Sequence, residues 1–349
     1  MSLEIVKPGV NINFVGNRHL AFVISGLLIL ASIISIVWRE GLNLGVDFRG
    51  GLNLQILLKD KAVPAEDLRR ILIDGGLEVS SLQNFGEDQK EYLINIQPEA
   101  EGDNNLSQKA LNILTAALGA DQVELRREEM VGPKVGGDLR QKALYAIYYS
   151  ILMIIIYISG RFEQKWGSSA LFMAILIGVV YLLSLFGVGV GTLIIIALIV
   201  TLITCYLMKF SYALGSILAL IHDVVITTGI FSILDKEITL TFVAAILTII
   251  GYSLNDSIIV FDRIRENIRR VKNRGSLALT INKSVNETLS RTILTSGTTL
   301  IAVLCLYFLG GPVNRDFALA LFIGMTVGTF SSIFIASPLL LLWEKKKPA

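Results

Sequence analysis

Cysteine is nearly absent. The sequence holds only Cys205 and Cys305, both inside apolar runs, which leaves no basis for a disulfide framework or a cysteine zinc site. No glycine-rich Gly-Lys-Ser/Thr loop and no paired-histidine motif occurs, so nucleotide hydrolysis within this chain is not its energy source, and neither cofactor nor metal is expected. A formal net charge of +2 says little about partners, because the positive residues are clustered, and nucleic acid is not among those expected. What is present is hydrophobicity, at 53% of residues with a mean hydropathy of +0.64. That composition predicts an integral membrane protein with one soluble portion.

The apolar runs predict an α-helical polytopic membrane protein of about eight transmembrane helices. Residues 1–39 form a tail and a first span near Leu20–Trp38, too long for a cleaved signal peptide and without a small-residue cleavage site before Arg39. Residues 40–141 are polar. Residues 142–166 hold a second span and a short loop, and 167–209 hold two further runs joined by Gly187-Val-Gly-Val-Gly191. These two runs are either a hairpin of true spans or a re-entrant pair, each being near the minimum spanning length. Residues 210–349 form a C-terminal bundle interrupted by a basic loop at 262–291. Lysine and arginine counts in the short loops predict both termini on the cytoplasmic side and the polar domain on the outer side.

Within 40–141 the pattern alternates. Strands are expected at Leu52–Lys59, Leu77–Phe85, Glu91–Gln97 and Gln122–Glu129, with helices at Ala65–Asp74 and Leu106–Leu118 and a turn at 86–89. The order β-α-β-β-α-β is that of an extracytoplasmic ferredoxin-like α+β domain, a fold common to many functions. No nucleophile-plus-base cluster occurs in it. The paired Gly50-Gly51 suit a tight turn into the first strand, and Asp47 with Arg49 reads as a local ion pair.

Ionisable residues inside the spans carry the functional signal. An ionised carboxylate at bilayer depth costs roughly 2.5–3.5 kcal/mol on the lenient insertion scale, so it faces protein or water. Asn255 and Asp256 sit about two turns before the charged end of one run. Thr241, Ala244, Ala245, Thr248, Tyr252, Asn255, Asp256 and Asp262 fall within about 60° of one line along that helix. This stripe reads as a proton- or ion-handling site or as polar glue between helices. His222-Asp223 lie at the centre of the preceding span. Adjacent residues diverge by about 100° on a helix, so one addresses a conduction path and the other a packing interface, and His222 alone is equally an interhelix contact. Arg291, Thr295, Thr298, Ala302 and Cys305 form a polar stripe on the next span.

Several stretches resemble a known family. Gly45-Val-Asp-Phe-Arg-Gly-Gly51, Val131-Gly-Pro-Lys-Val-Gly136, Arg161-Phe-Glu163, His222-Asp223, Gly251-Tyr-Ser-Leu-Asn-Asp256 and Ser290-Arg-Thr-Ile-Leu-Thr-Ser296 are similar, in that order, to the motifs of the SecD/SecF family of bacterial Sec protein-export subunits, the SecF branch above all. The resemblance marks Gly45, Asp47, Arg49, Gly50, Gly51, Gly132, Pro133 and Gly251 as structural motif positions. It implies that Asp256, Arg291, Asp223, His222 and Asn255 serve proton coupling, with Arg291 working with Asp256. It departs from the family at 167–209, where two runs intervene between the Arg-Phe-Glu and His-Asp motifs, giving eight spans instead of six.

The function this implies is that of a non-enzymatic accessory subunit of the Sec translocase in the bacterial inner membrane. Such a subunit uses the proton-motive force, with protons as the coupling ion, to promote polypeptide export through an RND-like bundle. The implied partners are SecD, the SecYEG channel, YajC, the SecA motor, unfolded polypeptide in transit and membrane lipid. The alternatives are an RND-type exporter of small solutes and a structural assembly subunit with inert membrane charges.

Overall fold

A computed structural model describes residues 10–60, 62–85, 90–97, 105–119, 121–271 and 276–343. The turn expected at 86–89, together with Lys7, Lys272, Arg274 and Lys345, Lys346 and Lys347, lies outside those residues. Apolar helices of 18 residues or more account for most of the rest, eight of them long enough to cross a membrane.

The chain enters through α1 (Arg18–Trp38) and a single helical turn, α2 (Val46–Arg49). It then builds β1 (Gly51–Leu58), α3 (Ala65–Asp74), β2 (Glu78–Phe85), β3 (Glu91–Gln97), α4 (Leu106–Leu118) and β4 (Val123–Val131). The strands form one antiparallel sheet in the order β2-β3-β1-β4, which is the ferredoxin-like arrangement. Strict alternation on β1 turns Leu52, Leu54, Ile56 and Leu58 inward, where they meet Leu68 and Leu72 of α3 and Ala110 and Leu114 of α4. Each fully buried Leu or Ile contributes about 1.5–3 kcal/mol, enough for this small layer to hold its own core.

The two glycine motifs at the base of the domain pack on one another. Gly50 has φ of 83°, and a Cβ there would fall 2.9 Å from Pro133 Cα. A Cβ on Gly136 would meet the Phe48 carbonyl oxygen at 3.0 Å. Pro133 opens α5 (Pro133–Glu163) as its first residue, with Gly132 as N-cap. The entry and exit of the domain are thus interlocked. Asp47 does not form the expected ion pair with Arg49, which is exposed; its Oδ2 accepts from the Leu240 backbone N–H at 2.8 Å, beyond the end of a helix whose first amides lack intrahelical partners. A short parallel bridge between Leu44 and Ile238 completes this joint.

Two helices, α6 (Trp166–Ser184) and α7 (Val190–Leu207), follow α5. At 19 and 18 residues they are about 28 Å long, the length of a span and not of a re-entrant segment. Then come α8 (Ser211–Ile233), α9 (Leu240–Arg270), α10 (Leu277–Leu309) and α11 (Pro312–Ser331), the last continued by a π-helical turn at Ser332–Ala336. The basic segment expected as a loop at 262–291 is instead mostly helical. α9 runs on to Arg270 and α10 starts at Leu277, so both helices are longer than a bilayer requires and stay in contact through this segment. Arg263 and Asn267 of α9 both reach Glu287 of α10, at 2.6 and 2.7 Å, and Asn267 also donates to Ser284. These polar contacts flank the buried Ile264, Ile281 and Val285, which pack the two helix ends together.

The joint between domain and bundle contains a titratable group outside the spans. Glu237, in the α8–α9 connection, accepts from Asn95 of β3 at 3.0 Å. It lines a 260 Å³ cavity with Asp47, Glu129 and Asp316, the last ion-paired to Lys236 at 2.9 Å. Burial pushes its carboxyl above the usual range and Asp316 adds to this, against opposing hydrogen bonds from Ser81, Ser80 and Asn95. A docked domain therefore holds this proton better than an undocked one. Docking is favoured at low pH and is lost as pH rises from the ordinary glutamate value through the raised one. Spin labels on α4 and on the first turn of α11 should report a close population that grows as pH falls towards the ordinary glutamate value of about 4.3, and Glu237→Gln should flatten that dependence. An unchanged pH profile in Glu237→Gln would remove Glu237 as its source.

Candidate functional site

Two carboxylates are buried in the middle of the bundle, and their surroundings differ. Asp223, on α8, is fully buried. Its Oδ1 lies 2.9 Å from His222 Nδ1, while its Oδ2 accepts from Ser253 of α9 at 2.6 Å and from Ser331 of α11 at 2.9 Å. The other ring nitrogen of His222 meets Ser25 of α1 at 3.0 Å, and the ring packs on Phe330. His222 and Asp223 do point in different directions, but they bond to each other and together join four helices. His222 is an interhelix contact here.

Asp256, on α9, is 1% exposed. Its Oδ2 accepts one long hydrogen bond, 3.3 Å, from Ser296 of α10, and Ser296 in turn accepts from Thr329 of α11 at 2.8 Å. Its Oδ1 is buried with no partner among the described residues. A buried carboxylate oxygen without a donor is costly, and in a native bundle it calls for a functional explanation. Arg291 is exposed on α10 and acts on Asp256 electrostatically without an ion pair closer than 4.0 Å. The arginine is near and not engaged.

Of the other expected positions, Asn255 and Gly251 are exposed on the outer surface of α9, in a strip with Thr241, Ala244 and Thr248. Arg291 and Thr298 continue that strip on the neighbouring face of α10. Asp262 lies apart from both carboxylates and pairs with Arg161 at 3.1 Å. Gly45, Asp47, Arg49, Gly50, Gly51, Gly132 and Pro133 belong to the domain joint and not to this site.

Ser25, Ser253, Ser296, Thr329 and Ser331 escaped sequence reasoning, since isolated serines and threonines in apolar runs carry little pattern. One signal was available. Gly324 and Gly328 are four apart on α11, a spacing that lets helices approach closely. A Cβ on Gly324 would fall 2.2 Å from Ile249 Cδ1, and one on Gly328 would fall 3.1 Å from Ser253 Cβ and 3.4 Å from Asp223 Oδ2. This glycine pair is what presses α11 against α9 and brings Ser331 within reach of Asp223.

Comparison with known proteins follows the same outline. The family model "Protein export membrane protein SecD/SecF, C-terminal" matches residues 112–206 and 190–346, and "SecD/SecF GG Motif" matches 40–62. The overlap of the two larger matches falls within α7. The chain is 40% identical over 340 residues to protein translocase subunit SecF of Desulfurispirillum indicum, covering 96% of this chain and 92% of that one. Against protein translocase subunit SecF of Escherichia coli O157:H7 it is 37% identical over 330 residues, covering 94% and 86%. Among solved structures, SecDF from Thermus thermophilus, a translocon-associated membrane protein, superposes with a TM-score of 0.64 at 33% identity, over 99% of this chain and 40% of that one. SecDF in its super-membrane-facing form gives 0.60 at 32%, over 97% and 39%. The chain thus spans about two fifths of those SecDF chains.

The contrast between the carboxylates predicts opposite effects on stability. Asp223→Ala strands three polar groups and should cost about 2 kcal/mol or more at the modest values measured for hydrogen bonds in membranes. Asp256→Asn keeps an oxygen to accept the one long bond from Ser296 and has no other bond to lose, so it should leave stability within about 1 kcal/mol of the parent. Thermal unfolding of the detergent-solubilised protein measures both. Equal destabilisation by the two substitutions would refute the distinction.

Proposed function

The chain belongs to the SecF family of protein translocase subunits, multi-pass membrane proteins of the Sec translocase, and from that premise we propose that Asp256 is its proton-coupling carboxylate. The observation that carries the proposal is the buried, partnerless Oδ1 of Asp256 where α9, α10 and α11 meet, with Arg291 close but unpaired. A carboxylate held this way has room for a proton on one oxygen and a fixed hydroxyl on the other. Protonation removes the charge that Arg291 senses. The Ser296–Thr329 link then passes the change to α11, and the π-helical turn beginning at Ser332 supplies a deformable point directly beyond it. Asp223, with every oxygen satisfied, holds the helices in register around this event, and His222 with it.

The exposed strip of Thr241, Thr248, Asn255 and Arg291 supports pairing with SecD. Small and polar residues at bilayer depth suit another helix better than lipid. In this reading SecD covers the strip and closes the proton path, and the pair acts beside SecYEG, with YajC and SecA as further members of the assembly. Both termini lie in the cytoplasm and the α/β domain in the periplasm, where its movement holds emerging polypeptide. The relatives' common naming as translocase subunits sets aside export of small solutes. The assembly-subunit reading is distinguished by experiment.

Asp256→Asn keeps size and hydrogen bonding but cannot titrate. It should leave the complex assembled while reducing export driven by an imposed proton gradient to background in reconstituted vesicles. Arg291→Ala should do the same, and Arg291→Lys should recover part of the activity, since a point charge does not replace a planar fork. Asp262→Asn should export normally, its ion pair with Arg161 being half-exposed. Wild-type export by Asp256→Asn would leave the assembly-subunit reading in its place.

Orientation is testable separately. With Cys205 and Cys305 replaced, a cysteine at Val188, between α6 and α7, should react with an impermeant thiol reagent added to whole cells. Reaction only after lysis would reverse the orientation proposed for the hairpin.

A further inference from the structure

At the end of the bundle away from the α/β domain, α5 and α9 flank an open cavity of about 470 Å³ lined by Arg161, Asp262, Arg265, Glu266, Arg269 and Arg270. Its two carboxylates are already engaged. Asp262 pairs with Arg161 at 3.1 Å, and Glu266 pairs with Arg263 and with Arg270, each at 2.6 Å. Arg265 donates to the Arg161 carbonyl at 2.9 Å, but among the described residues neither Arg265 nor Arg269 pairs with a carboxylate. These two lie four apart on α9, so their guanidinium groups share one face, an arrangement of like charges that destabilises a helix unless an anion lies between them.

The depth of the cavity identifies the anion. α9 has 31 residues and is about 46 Å long, against about 30 Å of hydrocarbon, so a span beginning at Leu240 leaves the core near Val260 and puts Arg265–Arg269 about 7–13 Å beyond it. That is the phosphate layer. Trp166, half-exposed at the start of α6, lies over Gly160, where an added Cβ would be 2.1 Å from its ring, and Gly160 directly precedes Arg161 of the cavity wall. A tryptophan at this level marks the membrane interface. We propose that this cavity binds the phosphate headgroup of an anionic phospholipid, held by Arg265 and Arg269 with Arg161 behind them. The site ties the C-terminal ends of α5 and α9 to the membrane surface, so that α9 keeps its depth while Asp256, further along the same helix, changes charge. The lipid site stands independently of the proton-coupling proposal.

The test uses the full chain purified with its co-isolating subunits, with phosphatidylglycerol and phosphatidylcholine as probes and retained lipid read by native mass spectrometry. Phosphatidylglycerol should bind more tightly than phosphatidylcholine. R265Q or R269Q alone should weaken it about fivefold and the double variant about 30-fold, taking the usual contribution of one basic residue near a charged membrane. K283Q, a highly exposed position on α10, should leave binding unchanged. The single variants keep the test open where the double variant fails to fold. Parent-like retention in R265Q and R269Q, equal retention of phosphatidylcholine, or complete displacement by millimolar inorganic phosphate would each overturn the proposal. So would capture of an acidic protein segment in place of lipid.

Discussion

Asp223 takes hydroxyls from α9 and α11 on one oxygen and the ring of His222 on the other, and His222 reaches α1. In hydrocarbon there is no water to satisfy these groups if the helices separate, so each of the four helices is held to the others by what it would leave unbonded. The arrangement demands close approach, and α11 supplies it through Gly324 and Gly328. It also demands that α8 carry almost no bulk at its crossing. A Cβ on Gly229 would fall 2.0 Å from Ser32 of α1, and one on Gly215 would fall 2.8 Å from the carbonyl oxygen of Ala336 in the π-helical turn. The hub is therefore rigid because it is both dry and complete.

Asp256 stands one helical turn beyond Ser253 on α9 and faces Ser296 of α10, with Thr329 of α11 behind it, but lacks that completeness. The difference has an energetic consequence. One proton moving through about 100 mV releases about 2.3 kcal/mol, which shifts a two-state equilibrium only about 50-fold. An element driven by so little must have two packings of nearly equal free energy. Asp223 anchors α11 at Ser331 while Asp256 addresses it at Thr329, two residues away, just before the helix loosens into its π turn. On the proposed role of Asp256, a small change in charge next to a fixed point and a deformable one suits such a balance, because only the short segment between them has to choose.

The membrane spans and the α/β domain were legible because hydrophobic period and turn residues declare them locally. α3, α4 and β3 follow their expected limits residue for residue. Asp223 and Asp256 were legible as ionisable groups at bilayer depth, but which of them is fully bonded was not, since that depends on serines contributed by α1, α9, α10 and α11. The basic segment misled for a related reason. Its charges suggested a loop, whereas Glu287, Asn267 and Ser284 satisfy one another across two helices that continue beyond the bilayer. Asp47 and Arg49 misled because adjacency in sequence invited an ion pair, while the acceptor was wanted by the first amides of α9, nearly two hundred residues on.

The domain has little direct hold on the part of the bundle around Asp256. Its entry and exit motifs interlock with α5, and its bridge at Leu44 runs to the α8–α9 connection. α11 spans the gap. Its C-terminal end carries Thr329 and Ser331, and near its N-terminal end Asp316 pairs with Lys236, next to the Glu237 that holds Asn95 of β3. A helix of 20 residues is about 30 Å of rigid rod, so a tilt or slide set near Asp256 arrives at the domain joint undiminished. The part of the joint it reaches, around Glu237 and Asp316, is partly hollow and titratable, beside the apolar contact of Phe48 with Ile238 and Phe242. Polar contacts of that kind exchange readily with water, which lets the domain move without exposing a core.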